Sequence, residues 1–142
     1  MRAAVGIALL LSLALPALAQ EEENTLRDAR VGEWALYSAS GSMQERHSVV
    51  ARRREVVVVR VDSIINGKVI SSNTVNYRVN TPQFLAGAEG QQQVRAGGRL
   101  YDCVVVRRGN RLFYYSNDVP VTGLVAVSRG GNSIQEIIDY GF

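Results

Sequence analysis

The chain has 142 residues and a small basic excess, with 16 lysine and arginine residues against 13 aspartate and glutamate residues. Its single cysteine excludes an intramolecular disulfide, and a single histidine leaves a zinc or copper site almost without ligands. The length is that of one domain, which can bury enough surface to fold without disulfide bridges.

Residues 1–19 have the pattern of a secretory signal peptide. Arg2 precedes an apolar run over residues 3–15, and the predicted cleavage site lies between Ala19 and Gln20. The run is shorter than the roughly 20 residues that span a bilayer, so cleavage is favoured over an uncleaved anchor. We therefore expect an exported protein, periplasmic or extracellular, with no transmembrane segment after cleavage and no nucleic acid as a partner.

After the signal peptide, the sequence predicts a short tail and one domain. Residues 20–30 begin with an acidic stretch, Glu21 to Glu23, and are expected to be disordered. Residues 31–142 are rich in β-branched and aromatic side chains and form a single β-rich domain in this interpretation.

The first half of that domain predicts three strands. Residues 31–37 alternate between apolar and polar side chains, and residues 40–42 turn the chain. One strand, which can bend, is predicted within residues 45–65. Val57, Val59 and Val61 lie on one of its faces and Arg54, Arg60 and Asp62 on the other, together with Val56 and Val58. This strand is expected to be central and covered on both sides along part of its length. Asn66-Gly67 is the strongest hairpin signal in the chain and leads into a strand at residues 69–79.

The segment at residues 81–93 has a different character. Thr81 and Pro82 favour a helix start, Phe84-Leu85 can pack a short helix onto the sheet, and Gly87 and Gly90 end it. One or two turns of helix followed by a polar loop are predicted here.

The second half predicts an antiparallel meander. Glycine-containing turns separate segments at residues 100–106, 112–115 and 134–140, the last of which also fits one face of a helix. The fold class expected is mainly β, a curved antiparallel sheet of about seven or eight strands with at most one or two short helices. A half-barrel and a closed barrel or sandwich both remain open at this point.

Two stretches are candidate functional sites. The strand pattern breaks at a loop that contains Asp118, Val119, Pro120 and Gly123. Proline cannot donate in a central ladder, so this loop is read as a corner of the sheet that brings Val121 to the core, with a ligand-gating loop as the alternative.

The second candidate is the basic triplet Arg52, Arg53 and Arg54. Its ordinary interpretation is a solvated strand end. Its functional interpretation is contact with an anionic surface, such as lipid head groups or polysaccharide.

The sequence contains no catalytic, cofactor-binding or metal-binding motif. A Cys103–His47 dyad is conceivable, but Cys103 precedes three valines and is expected to be buried and unreactive. A hydrolase would require carboxylates such as Glu33, Asp102 and Asp118 to converge in a cleft. We therefore expect a protein that is not an enzyme and that uses no cofactor.

Three short segments and the order of strands resemble known families. The stretch "SNDVPVTGLVAV", the ending "IIDYG" and the opening "VGEWALY" are similar to exported bacterial β-rich domains that carry a C-terminal Val-Pro-x-x-Gly-Leu-Val loop. The order of strands more loosely resembles the half-barrel of periplasmic lipoprotein carriers, the LolA and LolB group. That resemblance implies an apolar concave face that holds acyl chains, although no functional residue of those carriers is matched.

Two functions follow from these observations. The first is a non-catalytic binding module that holds an apolar or amphipathic ligand, such as a lipid, in the concave face of its sheet. The second is a structural or protein-interaction domain of the cell envelope, which acts through an edge strand or through its basic face.

Overall fold

The computed structural model describes residues 25–79 and 88–142. These residues form one sheet of nine antiparallel strands and contain no helix. The strands are β1 (Trp34–Ser38), β2 (Met43–Arg53), β3 (Val56–Ile65), β4 (Lys68–Arg78), β5 (Ala88–Ala96), β6 (Arg99–Arg108), β7 (Arg111–Tyr115), β8 (Leu124–Arg129) and β9 (Asn132–Gly141). The predicted fold class, mainly β and antiparallel, is confirmed, but seven or eight strands is too few.

The nine strands follow a simple order, β4-β3-β2-β1-β9-β8-β7-β6-β5. Every hydrogen-bonded pair joins strands that are adjacent in sequence, with the exception of β1 and β9. The two edges are β4 and β5, which do not pair with each other, so the sheet is not closed into a barrel. Of the alternatives that the sequence left open, the closed barrel is therefore wrong.

Two local features explain the additional strands. The predicted long strand at residues 45–65 is two strands, because Arg54 and Glu55 form a tight turn between β2 and β3 without a glycine, proline or asparagine to mark it. The predicted polar loop up to Gln93 is instead part of β5, a strand of low intrinsic β propensity that pairs along its length with β6.

Several further expectations have clear outcomes. The turn at Asn66-Gly67 forms as predicted, with positive φ angles of 51° and 75°. Residues 134–140 belong to β9, so the strand interpretation is confirmed and the helical one is wrong. The predicted helix at residues 81–85 and the signal peptide lie outside the described residues. The described residues contain no helix long and apolar enough to cross a membrane.

The sheet bends around one cluster of buried side chains, which forms the core. Tyr37, Val49 and Val57 are fully buried there. The bend brings β5 into contact with β8 and β9, although several strands separate them in the sheet. At the β5–β6 turn, a side chain added to Gly97 would lie only 2.7 Å from the backbone oxygen of Ile137 in β9.

A turn at the start of the described chain completes the core. Leu26 and Ala29 are buried there, which differs from the disorder expected for residues 20–30. The reason lies on β2, where Arg52 donates hydrogen bonds to the carbonyl oxygens of Leu26 (3.1 Å) and Ala29 (2.8 Å). Residues 20–24 of that segment lie outside the described residues.

Candidate functional site

The predicted functional loop joins β7 to β8 over residues 116–123. Its ends are tied by a backbone hydrogen bond in which Ser116 donates to Gly123 (2.8 Å). Val119 and Val121 are fully buried, whereas Asp118 is exposed and Pro120 is half-buried. The loop therefore turns its apolar side chains into the core and presents Asp118 to the outside.

The backbone of this loop is tightly constrained. Val121 has a φ angle of +69°, which is unfavourable for a β-branched residue and persists only where the surrounding structure holds it. A Cβ atom on Gly123 would lie 3.0 Å from the backbone oxygen of Ser116 and 3.2 Å from the hydroxyl of Thr25. Val121 is thus held in a strained backbone conformation, and position 123 has little room for a side chain between Ser116 and Thr25. Both features are expected for a corner of the sheet.

A buried tyrosine anchors the end of the loop to the other half of the sheet. The hydroxyl of Tyr37, on β1, donates to the carbonyl oxygen of Leu124 (2.7 Å) and hydrogen-bonds the side chain of Thr122. Burial raises the pKa of Tyr37 well above its usual range, so the hydroxyl stays protonated and remains a donor.

Two cavities lie against this loop. The first cavity has a volume of about 470 Å³ and lies between β5, β6 and the loop. Its lining consists of Thr25, Gln91, Gln92, Gln93, Asp102, Cys103, Val104, Tyr115, Ser116, Asn117, Asp118, Thr122 and Gly123. The second cavity, about 510 Å³, is lined by Thr25, Asp28, Glu33, Asn117, Asp118, Val119, Pro120, Tyr140, Gly141 and Phe142. Residues Thr25, Asn117 and Asp118 border both.

The three carboxylates weighed for a hydrolase are partly brought together. Asp102 and Asp118 line the first cavity, and Glu33 and Asp118 line the second. Neither of these two cavities is lined by all three. Most of the first cavity was missed at the sequence level, because its glutamines were assigned to a loop instead of to β5.

Cys103 lies in the wall of the first cavity and is buried, as predicted. Burial, together with the smaller effect of the carboxylates of Asp102 and Asp118, raises the pKa of its thiol to about 12. The sulfur lies 3.7 Å from the carbonyl oxygen of Tyr101, which it faces as a weak donor. At neutral pH the group is therefore a protonated thiol and a poor nucleophile.

The only histidine has a different partner. Nε2 of His47 lies 2.5 Å from a carboxylate oxygen of Glu45, which also accepts from the amide of Gln135 (3.3 Å). The His47 ring packs against Tyr37 with 4.8 Å between ring centroids. His47 thus pairs with Glu45 on the core face and not with Cys103. Among the described residues, no group of three acidic, histidine or cysteine side chains could hold a metal ion.

All three residues of the basic triplet are exposed. Arg52 holds the N-terminal turn through its two hydrogen bonds, which assigns it a structural role. Arg53 ends β2 and Arg54 begins the turn to β3, and both are exposed. Contact with an anionic surface stays a prediction for Arg52, Arg53 and Arg54.

Comparison of the chain with protein-family models and with curated proteins gives no match. The resemblance to exported β-rich domains and to lipoprotein carriers therefore stays a prediction, which rests on the motifs quoted above.

Proposed function

We propose that this protein is an exported, non-catalytic binding module that holds a small amphipathic molecule in the first cavity of an open, half-barrel-like sheet. The observation that carries the proposal is the cavity itself. Its volume of about 470 Å³ falls within the range of small-molecule sites, roughly 300–1,000 Å³.

The composition of the lining favours an amphipathic ligand over an acyl chain. Cys103, Val104 and Tyr115 provide apolar contacts, whereas the glutamines of β5 and the exposed side of the loop provide hydrogen-bonding groups. The face where a lipid carrier would hold its acyl chain is occupied by packed side chains such as Tyr37 and Val57. The proposed ligand site therefore lies against β5, β6 and the loop and not on the packed face.

The non-catalytic part of the proposal rests on the state of the nucleophile. Cys103 is protonated at neutral pH, and His47 is engaged with Glu45 and does not activate it. A ligand in the first cavity would therefore meet a thiol of low reactivity.

The proposal is tested by native mass spectrometry of protein purified from the periplasm without detergent. We expect a bound small molecule in the wild type and in Arg95→Trp, an exposed position of β5 outside the cavity lining. Gln92→Trp places the same side chain in the cavity and should lose the ligand. Equal ligand content in both variants, each shown to be folded by circular dichroism, would refute this location. Ligand-free wild-type protein would refute the function.

A second candidate is an interaction domain, and one observation favours it. The edge strand β4 has eleven residues, and only Tyr77 is not exposed. Between its charged ends, Lys68 and Arg78, it carries no charge or proline, and Val69 and Ile70 are each 57% exposed. Natural edge strands are usually shorter or protected by charges, so β4 is suited to pair with an added strand. Ile70→Lys should then abolish a cross-linked complex that forms with the wild type. A wild type that forms no complex would count against the idea.

A further inference from the structure

The charged residues that line the two cavities are acidic, although the chain as a whole is basic. Basic residues outnumber acidic ones in the sequence. The described residues that line the cavities nevertheless include four carboxylates, Asp28, Glu33, Asp102 and Asp118, and no lysine, arginine or histidine. The cavities are therefore a local region of negative charge on a basic protein, and such clefts concentrate ligands of opposite charge.

These four carboxylates form no ion pair within the described part of the chain. One oxygen of Asp102 accepts a hydrogen bond from the amide of Gln93 (3.0 Å), which holds the carboxylate beside the cavity without cancelling its charge. The carboxylates of Asp102 and Asp118 also contribute to the raised pKa of the Cys103 thiol, although burial contributes more, and this agrees with negative charge beside the first cavity.

The size and shape of the site indicate an organic cation and not a metal ion. No described trio of acidic, histidine or cysteine residues is placed to coordinate a metal, and each cavity is many times larger than an ion. Tyr115 lines the first cavity, and the face of an aromatic ring attracts ammonium groups. The ring of Tyr140 in the second cavity already has the guanidinium of Arg99 over it, 5.4 Å from the ring centroid.

The chemistry of the ligand can be inferred from these carboxylates and from the size of the cavity, and the inference rests on the proposed function. We infer that the first cavity binds an organic cation, a short apolar chain that carries at least one ammonium group. Asp118 is its principal counter-charge. Because Asp118 also lines the second cavity, a molecule with an ammonium group at each end can place one ammonium group in each cavity, on either side of Asp118.

Three probes of equal length test this inference. 1,6-Diaminohexane, 1,6-hexanediol and adipate have the same six-carbon chain with positive, neutral and negative ends, and their affinities are measured by isothermal titration calorimetry at neutral pH. We expect the diamine to bind at least about tenfold more tightly than the diol and adipate not to bind. The diamine's affinity should fall as the salt concentration rises from about 0.02 M to about 0.2 M.

Two variants locate the charge effect. Asp118→Asn should weaken diamine binding at least about tenfold. Asp139→Asn removes an exposed carboxylate that lines neither cavity and should leave binding unchanged. Gln92→Trp should block the diamine.

The outcomes separate this inference from the proposed function. Equal binding of diamine and diol, or unchanged diamine binding by Asp118→Asn, would overturn the ammonium preference and leave the cavity as a ligand site. Co-purification of a neutral or anionic ligand that Gln92→Trp excludes would do the same. If no probe binds and the purified wild type carries no ligand, both proposals fail.

Discussion

Removal of one buried hydroxyl tests how the cavity loop is held in place. The substitution Tyr37→Phe keeps the ring, which is fully buried, and deletes only the oxygen. That oxygen donates to the carbonyl of Leu124 at 2.7 Å and hydrogen-bonds the side chain of Thr122, so both groups lose a partner. Leu124 and Thr122 are themselves buried, and bulk water cannot replace the lost contact.

The expected cost follows from this burial. A buried polar group that loses its partner destabilises a protein by about 1–3 kcal/mol, and we take about 2 kcal/mol for this site. For a domain of this length, 1 kcal/mol corresponds to a change in Tm of about 4 °C, so Tyr37→Phe should melt about 8 °C below the wild type.

The measurement is the free energy of unfolding from urea titrations, followed by tryptophan fluorescence and circular dichroism. Tyr140→Phe is the matched control, because its hydroxyl accepts from Arg99 at 2.9 Å in an exposed position. That control should change the stability by less than about 0.5 kcal/mol. If the two variants differ from the wild type by the same amount, the hydroxyl of Tyr37 does not anchor the loop and the reasoning is refuted.

Three further predictions concern single side chains. Arg52→Ala should lower the free energy of unfolding by about 1–2 kcal/mol and speed proteolysis ahead of β1, because the N-terminal turn loses two hydrogen bonds. Arg53→Ala should change both quantities little, and equal effects of the two substitutions would contradict the structural role of Arg52. With its pKa raised to about 12, the Cys103 thiol should be about one part in ten thousand ionised at pH 8. It should react with a disulfide reagent only after denaturation, and rapid labelling of folded protein would contradict this. The hydrogen bond from His47 holds the pKa of Glu45 below its ordinary value, so this carboxylate stabilises the fold above about pH 4.3, and that contribution is lost as the pH falls through the lowered folded pKa. Urea titrations between about pH 3 and 6 should therefore show a flatter profile for Glu45→Gln, and parallel profiles would exclude the effect.

Local patterns in the sequence determined most of the strands and their turns. Asn66-Gly67 is a residue pair that readily adopts positive φ at both positions, so its hairpin was predictable from two letters. The alternation that buries Val57 and Val59 was equally visible, because side chains of a strand point to opposite faces in turn. The burial of Cys103 followed from its valine-rich strand.

Only the tertiary structure decided the features that depend on distant parts of the chain. β5 is a strand because it pairs with β6, although its glutamines have little preference for that conformation. The pairing of β1 with β9 joins the two meanders, and no local signal encodes it. The cavities exist because the loop that bears Asp118 comes to rest beside β5 and Thr25, an arrangement set by the bending of the whole sheet around its core.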